Sequence, residues 1–253
     1  MSETILETQD LTKEFKGFTA VDSVNLQVRR GHIHALLGPN GAGKSSMLNC
    51  INGVYQPQQG EITLRGKTYH GTSPRQVAER GVARTFQNLA LFKGMSVLDN
   101  IMTGRNLRMK RGLLWQALHV GPARREETEQ RAVVERIIDF LEIQAHRKTP
   151  VGRLPYGLQK RVDLGRALAM EPQVLLLDEI TEGLAPVIVQ TLGRVIRALK
   201  AKGLTIILVE QNFRFAAPLA DRHYVMEHGR IVATVNKQEL SAKADMLNEY
   251  LGV

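Results

Sequence analysis

Residues 38–45 read Gly-Pro-Asn-Gly-Ala-Gly-Lys-Ser, and this run restricts the chain more than any other segment. It fills every fixed position of the pattern Gly-x4-Gly-Lys-Ser. His32-Ile33-His34-Ala35-Leu36-Leu37 precedes it and turns uniformly apolar toward its end, as suits a strand entering a buried sheet. Ser45 to Asn52 follows it with Met47, Leu48 and Ile51 at helical spacing. Strand, glycine loop and helix in that order make a cradle for phosphate. Gly38, Gly41 and Gly43 let backbone N–H groups converge on an anion with no Cβ in the way, and the positive end of the helix favours the same charge. Pro39, Asn40, Ala42 and Ser46 complete the loop. Lys44 is placed to reach the β and γ phosphates and the Ser45 hydroxyl to ligate Mg²⁺, so the expected ligands are ATP and Mg²⁺. A chance glycine-rich turn would not require these three elements in sequence.

Val174-Leu175-Leu176-Leu177 is a second buried strand, and it delivers Asp178 and Glu179 at its C-terminal end. Asp178 there can hold Mg²⁺ directly or through water. Glu179 can polarise an attacking water as general base. Alone, the pair reads as a buried strand meeting an acidic surface turn; beside an intact phosphate loop, the catalytic reading takes precedence.

Around these motifs, Ile5–Thr8, Val24–Val28, Gly60–Gly66 and Thr205–Val209 read as strands, with Arg222–Met226 and Arg230–Val235 near the end. Ile188–Lys200 reads as a helix. From about Met95 to Ala169 the character is helical, and Val133, Val134, Ile137, Ile138 and Leu141 share one face, after a break at Gly121-Pro122. Apolar strands alternating with helices predict an α/β fold: a mainly parallel sheet flanked by helices, an N-terminal antiparallel β part and a helical insertion. The expected organisation is a single domain over 1–253. Its core is built from 1–94 and 170–253, and 95–169 forms the helical subdomain.

Composition places this fold in a setting. A hydrophobic content of 43% and a charged content of 23% are those of a globular chain. The start lacks the basic and apolar regions of a signal peptide, and no apolar run approaches the roughly 18 residues that span a bilayer. The lone Cys50 cannot form an internal disulfide; between Leu48 and Ile51 it reads as a core residue. The net charge of +9 asks for an anionic partner. The densest basic stretch, Arg105, Arg108, Lys110, Arg111, Arg124 and Arg125, is interrupted by Leu113-Leu114-Trp115 and followed by Glu126, Glu127 and Glu129. It reads first as a solvated helix face and second as a neighbour of lipid headgroups. Nucleic acid ranks last, because no aromatic stacking pattern accompanies the charge.

The segment between the two nucleotide motifs narrows the reading. Leu154-Pro155-Tyr156-Gly157-Leu158-Gln159-Lys160-Arg161, then Arg166-Ala167-Leu168 and Glu171-Pro172, resembles the signature region of ABC ATPases. Gln87, in Arg84-Thr85-Phe86-Gln87-Asn88, resembles their Q-loop. The resemblance covers essentially the whole chain. It points to the ATPase subunits of branched-chain amino acid importers and their urea- and amide-transporting relatives. Gly81–Gln87, Gly183-Leu184-Ala185-Pro186, Val209-Glu210-Gln211-Asn212 and Glu249-Tyr250-Leu251-Gly252 add to it.

That resemblance implies a motor subunit that hydrolyses ATP. Two ATPases, identical or paralogous, would pack head to tail, so that Lys44 and Ser45 of one face the signature around Gly157 of the other. Phe15 would stack on adenine, with a core phenylalanine as the alternative. Gln87 would sense Mg²⁺ and the attacking water, and Gln211 would take the switch position after the last buried strand. Two transmembrane permease subunits and a periplasmic or extracellular solute-binding protein would complete the system. The ATPase would lie peripherally on the cytoplasmic face of the inner membrane. Several positions depart from the family pattern. Pro155 replaces the signature serine and offers no donor. Tyr156 replaces a glycine, Ile180 a proline and Ala185 the D-loop aspartate. Gln211 replaces a histidine, and it can still hydrogen-bond a phosphate. These departures leave open a regulatory subunit with little turnover, and either a mosaic of two paralogous subunit types joined near Asp178-Glu179-Ile180 or a natural divergent subfamily.

Overall fold

The computed structural model describes residues 3–69, 71–87, 89–108, 122–240 and 242–243, with side chains from residue 127 onward in the segment that begins at Pro122. Expectations placed on Asn88, on Lys110 to Trp115, on Gly121, on the Arg124, Arg125 and Glu126 side chains and on Glu249 to Gly252 lie outside those residues. Contacts divide the chain into two units, Met1–Arg84 with Gln173–Val253, and Thr85–Pro172.

The first unit holds two sheets. β1 (Thr4–Phe15), β2 (Phe18–Arg29), β4 (Gln59–Leu64) and β5 (Lys67–Tyr69) form an antiparallel sheet in the order β2-β1-β4-β5. Alternation along β2 buries Val24, Leu26 and Val28 and exposes Asn25, Gln27 and Arg29 to varying degrees, as a half-buried strand requires. The second sheet runs β10-β9-β3-β8-β7-β6. Its members are β3 (Ile33–Leu37), β6 (Val82–Arg84), β7 (Val174–Asp178), β8 (Thr205–Glu210), β9 (Arg222–Glu227) and β10 (Arg230–Asn236). All its pairings are parallel except β9 with β10. Every residue of β3, β7 and β8 is buried, which explains why their sequences are apolar runs instead of alternations.

Around these sheets lie α1 (Lys44–Ile51) and α2 (Pro74–Glu79). The Ser73 hydroxyl caps α2, and Gln76 answers it in a capping box. Cys50, within α1, is buried in the core at 1% exposure, as its apolar neighbours predict.

The second unit is helical. It comprises α3 (Val97–Thr103), α4 (Pro122–Phe140) and α5 (Tyr156–Ala169). Val134, Ile138 and Leu141 are buried, while Val133 and Ile137 flank them half-buried, so the helical face read from the sequence is the packed one. α3 and α5 approach closely because Gly104 and Gly165 carry no side chain: a Cβ on Gly104 would lie 2.3 Å from the Arg166 carbonyl oxygen, and one on Gly165 would lie 2.8 Å from Ile101 Cδ1.

The last helices belong to the first unit again. α6 (Pro186–Ala201) starts with proline in its first turn, where a missing N–H costs nothing, and α7 (Phe213–Ala216) is a single turn capped by the Asn212 side chain.

Candidate functional site

The glycine loop joins β3 to α1, and its glycines answer to the packing around them. Gly43 has φ +101°, and a Cβ there would lie 2.2 Å from the Ala20 carbonyl oxygen. A Cβ on Gly38 would lie 2.2 Å from the carbonyl oxygen of Met226 in β9. Only glycine fits either place, so the loop is pulled tight against β2 and β9. Ala42 N–H donates to the Pro39 carbonyl at 3.2 Å and Met47 N–H to Gly43 at 2.9 Å. No backbone carbonyl among the described residues takes the N–H groups of Asn40, Gly41, Gly43, Lys44, Ser45 or Ser46. No side chain caps α1, and no acidic residue occupies its first turn. A nest of unengaged donors at the positive end of a helix is what a polyphosphate needs, so the residues fit a nucleotide.

Lys44 is 4% exposed, and its ammonium donates to the carbonyls of Gly38 at 2.9 Å and Pro39 at 3.0 Å. Its Nζ also lies 3.5 Å from Glu179 Oε1, so loop lysine and candidate base already meet. Asp178 ends β7, and its Oδ2 accepts from Arg84 Nη2 at 2.7 Å in a pair almost wholly withdrawn from solvent. Arg84 Nη1 also donates to Asn49 Oδ1 of α1 at 2.5 Å. One guanidinium thus ties the acidic strand end to the phosphate-loop helix. Glu179 adopts φ +45°, an uncommon left-handed conformation for a residue with a side chain, and its N–H donates to the Val209 carbonyl at 2.9 Å.

Other predicted residues stand as follows. Phe15 is 38% exposed, meets Tyr55 edge to face at 5.0 Å and has Lys13 Nζ 4.9 Å from its ring, so it is a surface aromatic and the core alternative falls away. Gln211 is exposed immediately beyond β8. Gln87 and Gly157 belong to the second unit and are described within it. The Gln87 carbonyl accepts from Lys160 Nζ at 3.0 Å, and Gly157 lies half-buried in the first turn of α5. Pro155 stands at the N-cap of that helix, where no side-chain cap bond is made. Asp163 of α5 accepts from Phe86 N–H at 3.1 Å and from Arg166 Nη2 at 2.6 Å; burial pushes its carboxyl up, and Arg166 opposes that shift.

Two residues with evident structural purchase escaped the sequence reading. Arg84 terminates a three-residue strand too short to show periodicity. Glu210 ends β8 at 2% exposure, and its carboxylate accepts from both N–H and Oγ1 of Thr181. An acidic residue closing an apolar run was the available signal, the same one that exposed Asp178.

Fold and site together define an α/β protein with a phosphate-binding loop built for nucleotides. A family model described as ABC transporter matches residues 21–182, and the chain belongs to that family and is an ATPase of the ABC type. It is 34% identical to the high-affinity branched-chain amino acid transport ATP-binding protein LivG of Salmonella typhimurium, over all of this chain and 99% of that protein. It is 32% identical to the corresponding protein BraF of Pseudomonas aeruginosa, again over 100% of this chain and 99% of the relative. Among solved structures, a nucleotide-free ATP-binding cassette from an ABC transporter superposes with a TM-score of 0.85 at 28% identity, covering 99% of both chains. The ADP conformation of an ATP-binding cassette gives the same TM-score and identity over the full length of both.

Proposed function

We propose that this chain is the ATP-hydrolysing subunit of an importer for branched-chain amino acids or related small polar solutes. The observation that carries the reading is the meeting of Lys44 with Glu179 at 3.5 Å, beside a loop whose Gly41, Gly43, Lys44 and Ser45 N–H groups meet no backbone carbonyl among the described residues. Full-length similarity to LivG and BraF supports the solute class.

Residues 38–46 hold the triphosphate, with Lys44 exchanging its two loop carbonyls for phosphate oxygens. Ser45 and Asp178 supply hard oxygen donors suited to Mg²⁺, which supplies charge neutralisation at the phosphates when bound. Glu179 accepts the proton of the attacking water, and Lys44 steadies that carboxylate until nucleotide draws the ammonium away. Gln87 and Gln211 orient water and the terminal phosphate, and Phe15 offers its ring to adenine. A second ATPase, identical or paralogous, brings its Gly157 to the site, and permeases and a solute-binding protein complete the system. In such a system the chain would lie peripherally on the cytoplasmic membrane face. No helix among the described residues is long and apolar enough to cross a membrane. The two units together then act as one nucleotide-hydrolysing domain, with the signature carried by the helical one.

A strain lacking this gene should lose uptake of labelled leucine, isoleucine or valine, and regain it with the wild-type gene but not with Lys44→Ala. Unchanged uptake of all three would remove the solute class.

A further inference from the structure

We propose that Glu210 is a positioning residue for hydrolysis: its ionised carboxylate clamps the segment that carries Glu179, and its protonation loosens that clamp. The inference rests on the ATPase reading and adds to it a residue that touches neither nucleotide nor water.

Glu210 is the last residue of β8, and the sheet register sets it beside both motifs. In the parallel pairing with β3 it stands opposite Leu37, the residue before the glycine loop. One position earlier, Val209 stands opposite Asp178 at the end of β7. The chain leaving β7 is then fastened twice to the end of β8. Glu179 N–H donates to the Val209 carbonyl at 2.9 Å. Two residues on, Thr181 donates its N–H to Glu210 Oε1 at 3.1 Å and its hydroxyl to Oε2 at 2.8 Å. Between these anchors Glu179 holds its left-handed backbone, a conformation that persists only where surrounding structure enforces it. The second anchor depends on the Glu210 side chain.

An ionised carboxylate is acceptor-only and takes both Thr181 donors in charge-assisted bonds, which are roughly twice as strong as neutral ones. Once protonated, it can keep the N–H bond and give its own proton to the threonine hydroxyl, but both bonds are then neutral. The surroundings bring this change into the working pH range. Burial, the largest cause, pushes the Glu210 carboxyl up to about 7, against the two Thr181 bonds that lower it, with Glu179 repulsion adding to the rise and the Asn212 N–H opposing it. Each element around Glu210 is accounted for. β3 presents uncharged Leu37, β7 presents Asp178 bound to Arg84, the segment after β7 presents Glu179 beside Lys44, and the start of α7 presents the Asn212 N–H.

Glu210→Gln tests this directly, since glutamine reproduces the neutral bonding pattern at every pH. Steady-state ATP hydrolysis by the purified full chain, measured from pH 5.5 to 9 as kcat, should rise through pH ~7 in the wild type. In Glu210→Gln that limb should vanish, leaving kcat about tenfold below the wild-type plateau with nucleotide affinity retained. Thr181→Val, which removes the hydroxyl donor and keeps the N–H, should move the limb to higher pH and decides the matter should the glutamine variant fail to fold. A Glu210→Gln profile that keeps the wild-type limb overturns the proposal, as does an unmoved limb in Thr181→Val. A wild type inactive at every pH would overturn the ATPase reading itself, and this proposal with it.

Discussion

Buried titratable side chains give this protein a pH dependence of opposing signs. His34 in β3 is 1% exposed, and its Nε2 accepts the Arg29 N–H at 2.9 Å, which places the ring proton on Nδ1. Burial, with charge on His32 and Arg222, lowers its pKa to about 3. Between that value and the unfolded value of about 6.5 the unfolded chain takes up a proton that the folded chain refuses, so stability falls as pH drops through this window. Glu210 works in the other direction: its folded value lies above the unfolded one, so its contribution is fully present below about 4.5 and is lost as pH rises toward 7. His34→Gln, which keeps an acceptor for Arg29, should flatten the acid limb in urea titrations at successive pH values; an unchanged limb would mean that His34 does not govern it. Arg84→Ala should cost about 3–5 kcal/mol in a urea midpoint at constant slope, because it strips Asp178 of its guanidinium inside the protein. Lys44, Ser45, Asp178 and Glu179 were legible in the sequence because local spacing specifies them. Arg84 and Glu210 were not, since their partners lie 94 and 29 residues away in the chain.

Strands that are apolar throughout announced themselves, and β3, β7 and β8 appear where the sequence placed them. β1 and β2 run to 12 residues each, longer than the four- and five-residue stretches read from alternation, because register shifts along their pairing break the period. β5, β6 and α2 escaped notice because elements of three to six residues owe their existence to tertiary pairing or to a capping box. The helical unit invites two tests at this scale. Gly104→Ala should destabilise the packing of α3 on α5 by about 1–3 kcal/mol, since its new methyl meets backbone and not a side chain that can swing aside. A stability within error of wild type would show that the helices separate freely. Pro155→Ser supplies the cap that α5 lacks and restores the donors of the signature. It should raise the rate of ATP hydrolysis; no change would mean that neighbouring backbone groups already serve.

At the scale of the whole molecule, the composition, the order of motifs and the family resemblance led to the α/β class and the ABC ATPase family. The sequence pattern predicts a core from 1–94 and 170–253 around a helical 95–169, and contacts draw the units at Met1–Arg84 with Gln173–Val253 and at Thr85–Pro172. The wholly buried strands of the first unit bring together a loop at residues 38–46 and an acidic pair at 178–179, and that convergence is the central claim. Glu179→Gln tests it most directly. With ATP and Mg²⁺, the purified variant should bind nucleotide as the wild type does and accumulate as an ATP-bound dimer on size-exclusion chromatography. Its turnover should fall by 10² or more, as loss of a general base requires. Turnover equal to wild type would contradict the account.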